Sequence, residues 1–296
     1  MKGLIHFLYA VDYRGIKSVE NEEVILKTNT MSRKEIMSMR PVNWFFYLFW
    51  NNGYYVEFMK LIQQSKINPI DFIIELMDNL ETSNDSIGSL YKEFLADSEQ
   101  EWYDSPEELF LENSKEINGK LKAEDFAKLN AKYTSKVIFG YKKDMAIKLL
   151  EVSKKILTDK FDENYWLSKA KYVEDVINYC SQKSINIGEI KDEKIKNKNH
   201  KFIFDYPKWL KNGNGESDIQ KFNGGINLNF YLSKEKKNRI TDAMEIHNYE
   251  NISEVHMKLI EVLHTDDLFY DIGYGDHSNK EEKLKDKAIT SWSLES

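Results

Sequence analysis

The run from Val42 to Trp50, VNWFFYLFW, constrains this chain more than any other segment, because nearly every position in it is apolar. A helix that is hydrophobic around its whole circumference has to be enclosed by protein on several sides. The run is far too short to span a bilayer, so it is expected as a buried helix. Upstream, Ser32 and Glu35 form an S-x-x-E capping box, in which each side chain satisfies the other residue's backbone N–H. Pro41 cannot donate an intrahelical hydrogen bond and is expected to kink this helix or start a second one. Gly53 supplies a stop. The lead-in, VENEEVILKT (19–28), ends in a β-favouring run and is expected as a strand.

Enclosing such a run takes a large core. The 296 residues suffice for one large domain or two modest ones. A hydrophobic share of 41% against 31% charged is globular rather than disordered. With 17 Tyr, 16 Phe and 6 Trp, the aromatic surface needs a core or a partner to cover it. The net charge of −7 gives no sign of a nucleic-acid or acidic-membrane partner. The lysine-rich KDEKIKNKNHK (191–201) reads as a solvated face. One cysteine, Cys180, leaves no intramolecular disulfide and no Cys-based metal or iron–sulfur site within one copy, which fits a reducing, cytoplasmic setting. GLIHFLYAV (3–11) is short and runs into Asp12, Tyr13 and Arg14 without a small-residue cleavage site, so no signal peptide is read there.

Further helix signals follow. Asn68-Pro69 opens a helix expected to align Ile70, Ile73, Ile74, Met77 and Leu80, and Ser105-Pro106-Glu107-Glu108 opens another. Residues 82–89 between them read as a polar loop. A long pattern over 141–157 aligns Ala146, Leu149, Leu150, Ser153 and Ile156. The next, about 164–181, aligns Trp166, Ala170, Val173, Ile177 and Cys180, which makes Cys180 a core-facing, inert thiol. KFIFDYPKWL (201–210) reads as a strand ending at or before Pro207, and INLNFYL (226–232) alternates like a strand. Ser233 and Ser253 are expected helix caps, the second helix gathering Val255, Leu259, Val262 and Leu263. A short strand is expected within 267–275. The fold class is therefore mainly α with a minor β component, helical in its N-terminal two-thirds and mixed in a smaller C-terminal part. The expected divisions are 1–28 as a β-containing lead-in, 29–182 as a helical domain, 183–200 as a linker, 201–275 as a small α+β region and 276–296 as a flexible tail.

Signatures of chemistry are sparse. The six histidines (His6, His200, His247, His256, His264 and His277) show no tight metal-ligand spacing. The best local cluster is His264, Asp266 and Asp267 at an expected helix end, the candidate catalytic residues for a hydrolase or transferase. A histidine there also suits the helix dipole without any catalytic role. No nucleophile elbow, phosphate loop or dinucleotide turn is present, and Gly273-Tyr274-Gly275 reads as a turn. The aromatic block Trp44, Phe45, Phe46, Tyr47, Phe49 and Trp50 is expected to pack in the core. Trp44, Phe45, Tyr47, Phe49 and Trp50 are the alternative candidates for an interface to another domain.

Residues 22–61, EEVILKTNTMSRKEIMSMRPVNWFFYLFWNNGYYVEFMKL, resemble the region that follows the catalytic barrel in cobalamin-binding radical S-adenosylmethionine proteins. Thr28, Thr30, Met31, Ser32 and Arg40 match that family's strand, T-x-T-M-S turn and helix. FDYPKWL (204–210) and FYLSKEKKNRI (230–240) resemble its C-terminal part. The resemblance implies that residues 1–18 correspond to the end of a barrel. An iron–sulfur cluster, S-adenosylmethionine and cobalamin are implied only for a full-length parent enzyme. The family's C-x-x-x-C-x-x-C and D-x-H-x-x-G motifs are missing, so no cofactor is expected to bind this chain. The function expected is a non-catalytic accessory region or truncated remnant, packing on a catalytic radical S-adenosylmethionine domain or subunit. The alternative is an independent helical protein-interaction module.

Overall fold

The structure is a computed structural model that describes residues 4–13, 16–25, 27–113, 128–187, 190, 196–212, 215–246 and 252–275. Helices dominate these residues and two three-stranded antiparallel sheets accompany them, so the fold is mainly α with a minor β component.

The first sheet has the order β2-β1-β3, with β1 Leu4–Tyr13, β2 Ile16–Val24 and β3 Trp102–Tyr103. The strand expected over 19–28 thus ends at Val24 and is the second arm of a hairpin. β1 also pairs with β3, Ile5 opposite Tyr103 and His6 opposite Trp102. Helix α1, Arg33–Phe46, follows and runs through Pro41 without a break in assignment. It passes directly into a π-helical segment, Tyr47–Asn51, whose wider turn is closed by Asn52 N–H donating to the Tyr47 carbonyl at 2.9 Å.

Helices α2 (Val56–Gln64), α3 (Pro69–Thr82), α4 (Ser86–Gln100), α5 (Pro106–Asn113), α6 (Leu129–Phe139), α7 (Lys142–Lys160) and α8 (Glu163–Lys183) make up the helical body. Asn68 caps α3 as expected, its side chain accepting from Ile70 N–H at 2.9 Å. The buried stripe of α3 is rotated from the expected one: Phe72, Ile73, Leu76 and Leu80 face the core, while Ile70 and Ile74 are exposed. Phe72 and Leu76 offer a continuous i, i+4 ridge, and Phe72 closes edge-on against Phe58 of α2 at 5.2 Å. The loop expected over 82–89 shrinks to 83–85, because Asp85 caps α4 through Gly88 N–H at 2.8 Å.

Beyond α8, residues expected to open a linker are packed instead. Lys183, Ser184, Ile185, Ile187 and Ile190 are buried. Two backbone bonds tie them to the segment before the last strand, Tyr270 N–H to the Lys183 carbonyl and Ile185 N–H to the Leu268 carbonyl. The second sheet, order β4-β5-β6, combines β4 Lys198–Phe204, β5 Asn223–Tyr231 and β6 Asp271–Tyr274. Asp205 ends β4 and caps the short helix α9, Tyr206–Lys211, so Pro207 opens a helix rather than only stopping a strand. An irregularity in the β4–β5 ladder falls between Phe202 and Phe204. The Ile203 N–H there donates to Asp175 of α8, which also accepts from the Tyr206 hydroxyl, both at 2.9 Å.

Ser233 caps α10, Lys234–Ile246. Helix α11, Ile252–Val262, begins before Ser253, so Ser253 lies inside it; Val255 and Leu259 are buried as expected, joined by Met257 and Ile260, while Val262 is exposed. One cluster of buried side chains runs from Val42 to Tyr270, so that Phe202, Trp209, Phe230 and Leu259 belong to the same core as Phe45, Phe72 and Val176. The tail over 276–296, with His277, and His247 lie outside the described residues.

Candidate functional site

The junction from β2 to α1 is built by local hydrogen bonds that the sequence dictates. Thr28 N–H donates to the Met31 carbonyl at 2.9 Å, and the Thr28 hydroxyl accepts from Thr30 N–H at 3.3 Å. The capping box then forms in full: Ser32 N–H donates to Glu35 at 2.7 Å, and Glu35 N–H to the Ser32 hydroxyl at 3.2 Å. The Ser32 hydroxyl also donates to the Glu35 carboxylate at 2.7 Å, and this bond, followed by the one from Ser32 N–H, holds the Glu35 pKa below its ordinary value. Arg40, two turns on, pairs with Glu101 and lies over the Trp102 ring at 5.6 Å. It therefore ties α1 to the strand that pairs with β1.

The aromatic block turns inward. Trp44 stacks on Phe94 at 4.5 Å and meets Tyr133 edge-on at 5.7 Å, and Phe45 stacks on Phe49 at 5.5 Å. Trp44, Phe45 and Phe49 are buried by these partners within the chain, so the interface alternative does not hold for them. Tyr47 and Trp50 are partly buried against the same cluster. The apolar side chains left exposed near the junction are Ile25, Met31 and Met39.

His264, Asp266 and Asp267 do lie together, in anchoring roles. His264 caps a 3-10 turn, Thr265–Leu268, with Nδ1 accepting from Asp266 N–H at 3.3 Å. Asp267 is held by Arg239 of α10 through two bonds of 2.7 and 2.9 Å. The adjacent Thr265 hydroxyl reaches Asn52, just after the π-helical segment, at 3.4 Å. The rings of His200 and His256 pack on aromatics. His200 meets Phe230 edge-on at 5.8 Å, and burial followed by the nearby Lys198 charge lowers its pKa. His256 of α11 lies 4.0 Å from the Phe139 ring of α6, and burial pushes its pKa down to about 4. Gly273 and Tyr274 belong to β6, opposite Asn229 and Leu228 of β5, and Gly275 takes a φ of +85°, a left-handed conformation that suits glycine.

The densest buried chemistry lies between α2 and α8. Lys183 donates to Glu57 and to the Gly53 carbonyl, each at 2.5 Å, and its ammonium sits 4.8 Å from the centre of the Phe269 ring. Gly53 can present that carbonyl because it takes φ +60°, a conformation costly for other residues. The Cys180 thiol, 3.4 Å from the same Glu57 oxygen, is buried as expected, and burial followed by Glu57's charge raises its pKa. One signal could have revealed Lys183: it lies three residues beyond Cys180 on the stripe from Trp166 to Cys180. Glu57 gave none, since a glutamate in an otherwise apolar stretch is usually placed on the solvent side.

The iron–sulfur cluster that the resemblance implies for a parent enzyme would need several thiolate ligands, and the single cysteine of this chain does not supply them. Among the described residues, no group of three or more His, Cys, Asp or Glu side chains could hold a metal ion, and no helix is long and apolar enough to cross a membrane. No protein-family model matches this chain, and no curated protein matches it.

Proposed function

We propose that this chain is a non-catalytic accessory region of a cobalamin-binding radical S-adenosylmethionine enzyme, packing on a catalytic domain that carries the cofactors. The observation that carries this reading is the junction over residues 22–61, where the resemblance in sequence is concentrated. Its matching residues have definite structural work: Thr28 and Thr30 shape the turn, Ser32 starts α1, and Arg40 fastens α1 to β3. Ile25, Met31 and Met39 remain exposed around that junction and offer apolar surface to a partner. The single, buried cysteine supports a role without radical chemistry of its own.

The test is the coding DNA on either side of this reading frame, followed by co-expression. An in-frame or neighbouring sequence encoding C-x-x-x-C-x-x-C, whose product co-purifies with this chain, is the expected result. Unrelated flanking genes would overturn the reading. So would a purified chain that by itself takes up cobalamin or an iron–sulfur cluster.

A further inference from the structure

The thiol of Cys180 and the ammonium of Lys183 meet at one atom. They stand three residues apart on one face of α8, and Glu57 Oε2 lies 2.5 Å from Lys183 Nζ and 3.4 Å from Cys180 Sγ. Side-chain ends that touch a common oxygen are within a rotamer adjustment of each other. A second observation marks the same place. Tyr55, two residues before Glu57, is 1% exposed, and its hydroxyl has no hydrogen-bond partner among the described residues. After burial, Cys180 raises the Tyr55 pKa while the Ser181 hydroxyl lowers it, so the residues around Cys180 are the ones this phenol feels.

We propose that Cys180 and Lys183 form a covalent modification site, joined through a single oxygen as a sulfur–oxygen–nitrogen bridge with dioxygen as the oxidant. Dioxygen is small and apolar, which suits a site walled by Phe269 and closed to larger oxidants. Glu57 accepts the ammonium proton and leaves Lys183 as a neutral amine. The thiol adds dioxygen to give a sulfur-bound hydroperoxide. The amine nitrogen then attacks the oxygen attached to sulfur, the O–O bond breaks, and the departing oxygen leaves as water with a proton from nitrogen. Sulfur and nitrogen each give up two electrons, and dioxygen takes all four. The product has lost one cation and one thiol from the core.

Intact-mass and thiol measurements on the whole folded chain, kept in air or prepared without oxygen, test this directly. The aerobic protein is expected to be heavier by one oxygen less two hydrogens and to titrate no free thiol. Trypsin is expected to skip Lys183, and a thiol reductant to reverse all three changes. The Lys183→Arg variant is expected to keep its thiol in air. Wild-type protein that stays in air with an unshifted mass and a free thiol would overturn the proposal, whether or not the variant folds. Gain of whole oxygens on Cys180 with Lys183 still cleaved would overturn it too.

Discussion

Lys183 and Glu57 illustrate how much a single buried charge can govern. Removing one member of a buried ion pair leaves the other uncompensated, at a cost of about 3–5 kcal/mol, whereas replacing both by apolar residues is often neutral. Lys183→Met is therefore expected to lower the urea midpoint sharply, and Glu57→Leu combined with Lys183→Met to recover most of the loss. A double variant as unstable as the single one would refute the pairing. His256 carries a pH effect of definite sign. Its pKa falls from an ordinary 6.5 to about 4 in the fold, so between those values the unfolded chain binds the extra proton. Stability is then expected to be full above about pH 6.5 and to fall as pH drops toward 4, the ring resting on Phe139 with Nε2 finding no hydrogen-bond partner among the described residues. Urea midpoints from pH 7 to 4 should decline less steeply for His256→Gln, and an unchanged slope would contradict this. Cys180 was legible as a core position from the spacing of its helix. The glutamate beside it was not, because Glu57 is stabilised by a lysine 126 residues away in sequence.

At the scale of elements, local chemistry and packing separate cleanly. The capping box that opens α1 is written entirely within four residues, so it forms as read. Ser32→Ala is expected to cost about 1 kcal/mol, measured as a drop in unfolding free energy. Trp44 depends on distant rings, Phe94 and Tyr133, and Trp44→Ala is expected to cost about 3–5 kcal/mol. A Trp44→Ala loss no larger than that of Ser32→Ala would mean the aromatic block is not the core. Helix α3 shows where periodicity misleads. Ile70, Ile73, Ile74 and Leu80 make a plausible stripe, but Phe72 and Leu76 make another a fraction of a turn away. The helices packed around α3 select between them: α4 and α7 along its length, and Phe58 of α2 against Phe72. Pro41 likewise stays within a helix with its ring buried, and the turn widens only after Phe46.

For the whole molecule, the exposed Ile25, Met31 and Met39 are the residues at which the proposed docking can be separated from folding. Met31→Glu and Met39→Glu are expected to leave stability within about 0.5 kcal/mol of wild type while weakening association with the catalytic partner. Loss of stability without loss of association would argue that this surface is not used. The sequence by itself determined the fold class, most helix starts and the inward face of α8. Each of these rests on neighbours within one or two turns, or on composition. The tertiary structure alone decided that Lys183, Ser184, Ile185, Ile187 and Ile190 enter the core, that β1 and β2 form a hairpin reached by β3, and that His264 and Asp267 serve as a cap and an anchor. Those outcomes depend on which distant groups arrive at the same place, Leu268 and Tyr270 beside Lys183, or Arg239 beside Asp267. The apolar run from Val42 to Trp50 stands between the two. Its hydrophobicity fixed that it would be enclosed, and the geometry of Phe94 and Tyr133 decided that the chain encloses it with its own helices.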